Sequence, residues 1–255
     1  MVQERARPAG HRRQPIKGTA GLDADAMLKR VLFRDALVLI VDKPAGLPVH
    51  AGPKGGPNLE ASFDALCFGL PQPPALAHRL DRDTSGCLVL GRHRRALARL
   101  GRQFAAGRVG KTYWAVTIGK PAEPVGRIEL ALAKRSTAAR GWWMKVDPDG
   151  QRAVTDYRVR GEAGGLAWLE LHPHTGRTHQ LRVHLEALGC PILGDPVYGQ
   201  DRQPSDAPSL MLHSRAVSVP LYDKKPPIEA TAPVPPHMRS ILLECGFAGD
   251  ATVGA

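Results

Sequence analysis

The apolar positions of this chain fall into short, strand-sized runs separated by Gly- and Pro-rich turns, with two stretches of helical spacing. Ala36-Leu-Val-Leu-Ile-Val41 stops at Asp42-Lys43-Pro44, which predicts a strand over 38–41 and a turn through Gly46. Cys87-Leu-Val-Leu90 reads as a second, buried strand. Tyr113-Trp-Ala-Val-Thr-Ile118, ended by Gly119 and Pro121, reads as a third. Residues 153–159 and 166–171 flank Gly161-Glu-Ala-Gly-Gly165 and predict a hairpin with a longer loop. In RHRRALARLGRQFAAG, Ala96, Leu97, Leu100 and Phe104 recur three and four apart, the mark of one helix face, and Gly107 can end that helix. Leu181 to Leu188 predicts a shorter amphipathic helix closed by Gly189. Helices and strands alternate irregularly and several hairpins are direct. The expected fold is therefore α+β, a mainly antiparallel mixed sheet flanked by helices, and not a doubly wound parallel sheet.

Composition sets the outer limits. Residues 1–24 are rich in Gly, Pro and Arg without periodicity and are expected to be a disordered basic arm. Residues 25–240 are expected to form one folded body, and 241–255 a C-terminal tail, frayed from Gly246 onward. Hydrophobic residues make up 43% of the chain, enough for a core. No run approaches the ~18 apolar residues of a membrane span. The first residues lack the apolar stretch of a secretory signal, so a cytoplasmic location is expected. Cys67, Cys87, Cys190 and Cys245 are widely separated with no C-x-x-C pair; free thiols are expected, and neither a disulfide framework nor a thiolate zinc site.

Charge adds a partner class. There are 35 Lys and Arg against 24 Asp and Glu, a formal +11, and the body stays basic without the arm. Such an excess points to a polyanion, most often nucleic acid. Aromatic residues are only 5% of the chain, which argues against many stacking platforms along a single strand. On the other face of the RHRRALARLGRQFAAG helix, Arg92, Arg94, Arg95, Arg99 and Arg102 occur with no acid among them and are read as a phosphate-facing surface.

Several chemistries lack their motifs. There is no G-x-G-x-x-G after a strand, no P-loop and no G-x-S-x-G elbow. LHPHTGRTHQLRVH places His172, His174, His179 and His184 close together, but Arg177 and Arg182 are interleaved and would repel a divalent cation, so no metal is expected there. The stretch His78-Arg-Leu-Asp-Arg-Asp-Thr-Ser-Gly86 is different. Asp81 lies between Arg79 and Arg82, either in a solvated turn or as a carboxylate that arginine keeps ionised for attack. An enzyme that rearranges a nucleoside must take the base out of its stack, and without redox change it needs only a nucleophile, a proton acceptor and charge control. Asp81 fits the nucleophile. Arg182 is a candidate partner able to hold a carboxylate by its fork, and Tyr113, two residues after Lys111, could stack on a base and assist proton transfer.

These motifs together resemble the RluA-type pseudouridine synthases. HRLDRDTSG is followed by Lys111-Thr-Tyr113 and then by TGRTHQLRVHLEALGCPILGD from Thr175 to Asp195. Val41-Asp-Lys-Pro-Ala-Gly-Leu-Pro-Val-His50, Tyr198-Gly199 and Leu210-Met-Leu-His213 also fit, so the resemblance runs from about Leu37 to about Pro233. It implies an RNA pseudouridine synthase that uses no cofactor and no metal and isomerises uridine in structured RNA. The family's catalytic aspartate falls on Asp81, its base-stacking tyrosine on Tyr113 and its aspartate-pairing arginine on Arg182. Thr84-Ser85-Gly86 would shape the turn presenting Asp81, and Asp83 is read as a turn residue. Arg79, Lys111 and Arg177 are candidate substrate contacts, with Arg79 able to fill the vacated stack or meet a phosphate; His179 and Leu181 join them from the same motif. Asp81 could attack the sugar's anomeric carbon, the favoured route, or carbon 6 of the base. Many members carry an S4-type RNA-binding domain; it is expected to be absent here, which leans toward a compact stem-loop of ribosomal or transfer RNA bound by a monomer. Cys190 stands where histidine is common. Trp142-Trp143 is expected in a hairpin strand, with an RNA-facing platform as the alternative. Two other classes compete: a noncatalytic RNA-binding protein of the same fold, and a Mg²⁺ nuclease using Asp81 and Asp83, which the flanking arginines disfavour.

Overall fold

The computed structural model describes residues 21–52, 55–137 and 141–250. Helix α1 (Ala24–Leu28) opens the body, its first turn capped by Asp23, which accepts from the Ala26 N–H at 2.8 Å. After it come β1 (Val31–Arg34), β2 (Val38–Lys43), a 3-10 segment (Leu59–Leu66), β3 (Ala75–Leu76), β4 (Ser85–Gly91), α2 (Arg94–Ala105) and β5 (Gly110–Ile118). The chain continues through β6 (Val125–Glu129), the hairpin β7 (Leu132–Thr137) and β8 (Gly141–Val146), β9 (Val154–Ala163), β10 (Leu166–Pro173) and α3 (Gln180–Ala187). It closes with β11 (Leu212–Val219), β12 (Ile228–Thr231) and α4 (Pro236–Glu244).

One sheet carries the fold. Its main path runs β1-β2-β4-β11-β5-β10-β9-β6, with β3 added on β4 and β12 on β11, while β7 and β8 pair with each other. Among the described residues the pairing of β11 with β4 is parallel and the other strand pairings are antiparallel, so the mixed, mainly antiparallel sheet is the one the alternation pattern predicts. The unbroken apolar runs of β2 and β4 follow from burial on both faces. Leu39, Val41, Leu88 and Leu90 join the larger core with Trp114, Leu169 and α4, whereas Val38, Ile40, Cys87 and Val89 join a second core under Leu100 of α2. No helix among the described residues is long and apolar enough to cross a membrane.

Two expectations are corrected. The hairpin loop is not five residues long: β9 runs on to Ala163, and the turn is Gly164-Gly165, both at positive φ (57° and 80°). Gly161 has another purpose, since a Cβ there would lie 1.7 Å from the Cys245 carbonyl oxygen. It lets the end of α4 approach the sheet. The segment expected as a tail is likewise packed as far as residue 250, because burial outweighs chain-end entropy. Leu242 is fully buried, Phe247 meets Trp114 and Trp168 edge-to-face at 5.3 and 5.7 Å, and Asp250 pairs with Arg215. At the other end, Asp23 and Ala24 belong to the body; residues 1–20 of the proposed arm lie outside the described residues.

Candidate active site

The parallel seam between β4 and β11 builds the site. Asp81 lies in the loop that enters β4, where Ser85 and Gly86 pair with His213 and Ser214. The Thr84 N–H donates to the Asp81 carbonyl at 3.2 Å and closes the turn. Gly86 sits at φ +103°, and a Cβ there would meet the Ser214 carbonyl oxygen at 2.2 Å, so the close approach of the two strands requires glycine. Ser85 Oγ hydrogen-bonds His213 Nδ1 at 2.8 Å, tying the start of β4 to β11. Tyr113 stands on β5, opposite Ser214 on the far side of β11.

Arg182 is held differently from the expectation. Its fork, Nε and one terminal nitrogen, donates to both oxygens of Asp195 at 2.7 and 2.6 Å, and the Asp195 side chain is fully buried. The other terminal nitrogen faces Asp81 at 4.0 Å. Arg182 thus meets Asp81 as a nearby charge, and its bidentate partner is Asp195. The reason is geometric: Asp195 also accepts from the Val197 and Tyr198 N–H groups, a cage that fixes the carboxylate edge-on to the guanidinium. Burial works against the Arg182 charge, and Asp195 with Asp81 more than offsets it, holding the guanidinium above its ordinary value. Asp195 had a legible signal, since it closes the TGRTHQLRVHLEALGCPILGD motif, but nothing in the sequence pairs it with Arg182.

The loop from Thr175 to His179 owes its shape to Gln180, which opens α3. The Gln180 oxygen accepts from Thr175 Oγ1 and the Arg177 N–H at 2.7 and 3.0 Å, and its amide donates to the Val154 carbonyl and Thr155 Oγ1, both at 3.0 Å. His179 takes a left-handed backbone (φ 53°), which turns its ring between Tyr198 and Asp81. Its Nδ1 is 2.8 Å from the Tyr198 hydroxyl and its Nε2 is 3.9 Å from Asp81. The Tyr198 oxygen already accepts the Met144 N–H at 3.0 Å. The economical assignment has the phenol donating to Nδ1, leaving Nε2–H aimed at Asp81. Burial pushes the His179 pKa down, consistent with a neutral ring.

Lys43 is a second residue with an unread role. Fully buried, it donates from Nζ to the carbonyls of Pro44 and Leu47 at 2.7 Å and of Arg82 at 2.8 Å, stapling the turn after β2 to the Asp81 loop. Burial lowers its pKa to about 8, partly offset by Asp83, Asp81 and Asp42. The folded pKa lies below the unfolded one, so between about pH 8 and 10.5 the unfolded chain binds more protons and this group's contribution to stability rises with pH. The staple behaves oppositely, because a neutral amine has one N–H fewer to donate. Turnover is expected to fall above about pH 8 with no parallel loss of melting temperature. Lys43→Met should be slower throughout and should lack that descending limb, which pH–rate profiles of the two proteins would reveal.

The predicted residues converge. Asp81, Tyr113, Lys111, Arg177 and Arg182 line one cavity of about 120 Å³, together with Arg79, His179 and Leu181. An adjoining groove of about 670 Å³ shares Arg79, Asp81, His179 and Arg182 and continues past Trp142. Tyr113 is 9% exposed, and burial raises its pKa to about 12, which keeps it a protonated phenol near neutrality; a stacking wall suits it better than a proton acceptor. Lys111 donates to the Thr175 carbonyl at 3.2 Å, and Arg177 donates from Nε to the Arg152 carbonyl at 3.1 Å. Trp142-Trp143 lies in a hairpin strand, β8, as expected. His172, His174, His179 and His184 each have a separate partner: Glu170, Asp156, Tyr198 and Thr155.

The arginine face of α2 needs correction. Arg92 precedes the helix and turns inward, donating to the carbonyls of Asp35, Cys67 and Phe68 at 2.7, 3.4 and 3.3 Å. Arg99 pairs with Asp223 at 3.5 Å and lies over Tyr222. Arg94, Arg95 and Arg102 remain exposed. The helical period grouped five arginines, but carbonyls and an acid brought in from other segments engage two of them.

The site places a carboxylate at a strand entrance in a basic cleft beside an aromatic wall, within an α+β body, an arrangement suited to an anionic substrate. Comparison with known proteins narrows the class. A family model described as RNA pseudouridylate synthase matches residues 37–187, and the chain belongs to that family of isomerases. It is 45% identical over 210 residues to an uncharacterized RNA pseudouridine synthase of Zymomonas mobilis, covering 82% of this chain and 95% of that protein. It is 36% identical over 182 residues to the ribosomal large subunit pseudouridine synthase D of the same organism, covering 68% of this chain and 56% of the relative. The solved structure of human RNA pseudouridylate synthase domain containing 4 superposes with a TM-score of 0.73 at 27% identity, covering 87% of this chain and 95% of that one.

Proposed function

We propose that this RNA pseudouridine synthase acts on a uridine flipped out of a ribosomal or transfer RNA stem-loop, with Asp81 as the nucleophile. The observation that carries the reading is the convergence of Asp81, Arg182 and Tyr113 on one cavity. Arg182, itself anchored by Asp195, faces Asp81 with its remaining nitrogen and orients it, and Tyr113 stacks on the uracil. An Asp81 oxygen bonds to the anomeric carbon as the bond from that carbon to the base nitrogen breaks, and the electron pair leaves with the uracil. The base turns, carbon 5 bonds to the anomeric carbon, and Asp81 departs with its electrons restored. The hydrogen on carbon 5 is then lost as a proton and the ring nitrogen gains one. Arg79, Lys111 and Arg177 would contact phosphates along the cavity rim. The enzyme would act in the cytoplasm as a monomer without metal. The name of the ribosomal relative favours a ribosomal target.

The test is a pseudouridine map of cellular RNA from cells lacking the protein, and from such cells carrying Asp81→Ala. One or more sites should vanish on deletion and stay absent with the variant. A complete set of sites after deletion, with purified protein binding RNA but leaving uridine unchanged, would favour a noncatalytic binding protein instead.

A further inference from the structure

The hairpin β7–β8 carries an aromatic ring that the reaction above does not use. Trp142 and Met144 are two residues apart on β8, so both point to the same face of the hairpin. That face turns toward the body: Met144 and, across the ladder, Leu132 are buried with Val183 and Tyr198. Trp142 continues the same face toward the cavity, and there it stays 48% exposed. An outward-facing indole at this exposure would be merely solvated. An inward-facing one leaves space beside a large ring for something not in this chain.

Its surroundings define what fits. Trp142 stands between two grooves, the one of about 670 Å³ that contains Asp81 and Arg79, and one of about 530 Å³ bounded by Glu186, Pro196 and Gly199. Its ring lies 5.1 Å from that of His179 at a 32° tilt, and Lys134 Nζ is 5.1 Å from its centroid. His179 in turn approaches Asp81 at 3.9 Å. These contacts set the orientation of the indole while half of its surface stays open. RNA is read largely through unpaired bases splayed out and stacked on aromatic side chains, with cations alongside for the backbone.

We propose that Trp142, backed by His179, forms a second base subsite in which an unpaired nucleotide flanking the target uridine stacks. The inference rests on Asp81 marking the place of the target uridine. It adds a requirement for an unpaired neighbour, and so a source of target selection.

The test scans the target stem-loop with single abasic nucleotides, using the full chain and Trp142→Ala. Turnover is followed on the active proteins, and binding is measured in parallel with both chains also carrying Asp81→Ala. With intact Trp142, one flanking abasic position should weaken binding and raise KM about tenfold, within the range of base–aromatic stacking. Trp142→Ala should raise KM by a similar factor on the intact stem-loop and show no further penalty at that position. Trp142→Phe should restore much of the effect. The proposal is overturned if no flanking abasic site matters, if its penalty persists in Trp142→Ala, or if Trp142→Ala lowers kcat alone, which would mark Trp142 as a support for His179. Isomerisation that survives Asp81→Ala would instead refute the nucleophile assignment, while the binding scan still decides the subsite.

Discussion

Asp81→Asn is expected to lower the single-turnover rate of pseudouridine formation by roughly 10⁴-fold or more, with RNA binding changed by less than about threefold. The amide is nearly isosteric with the carboxylate, so the turn closed by Thr84 and the stapling of its loop by Lys43 should persist. What disappears is the charge that Arg182 faces at 4.0 Å and the oxygen able to bond carbon. The reaction removes the hydrogen at carbon 5, so release of tritium from carbon-5-labelled uridine follows it directly, and filter binding gives the affinity. A variant that still released tritium at a tenth of the normal rate would remove Asp81 from the role of nucleophile.

Asp195→Ala should be nearly as damaging by a different route. The substitution leaves the Arg182 guanidinium, 5% exposed, without the carboxylate that engages its fork. Removing one partner of a buried pair costs about 3–5 kcal/mol, which for a chain of this size lowers the melting temperature by about 10 °C. Arg182 would also lose the anchor that sets its remaining nitrogen toward Asp81. The double variant Asp195→Ala/Arg182→Met separates the two effects. It should recover most of the lost stability, since no unpaired charge stays buried, and none of the activity. Thermal melts and tritium release on the same preparations check both, and recovery of activity in the double variant would show that Arg182 does not support Asp81.

Much of this arrangement was legible in the chain itself. The apolar runs at 38–41, 87–90 and 113–118 marked strands because hydrophobic periodicity is local, and the helix at 94–105 announced itself by three- and four-residue spacing and a stop at Gly107. Asp81, Tyr113 and Arg182 were identified by motif and meet on one cavity. The C-terminus is not legible locally for the converse reason. GFAGD looks like a frayed end until Phe247 finds Trp114 and Trp168, residues far away in sequence.

What the sequence by itself determined is the class of fold, the position of several of its strands and the motif residues that line the cavity, since these depend on residue type and near-neighbour spacing. Only the tertiary structure decided who pairs with whom. It gave the fork of Arg182 to Asp195 and not to Asp81, turned Arg92 inward onto carbonyls, buried Lys43 as a staple and set Trp142 beside His179. Each of these joins residues from separate segments. Partner choice of this kind follows from burial and from polar groups that must be satisfied once water is excluded, and no local pattern carries that information.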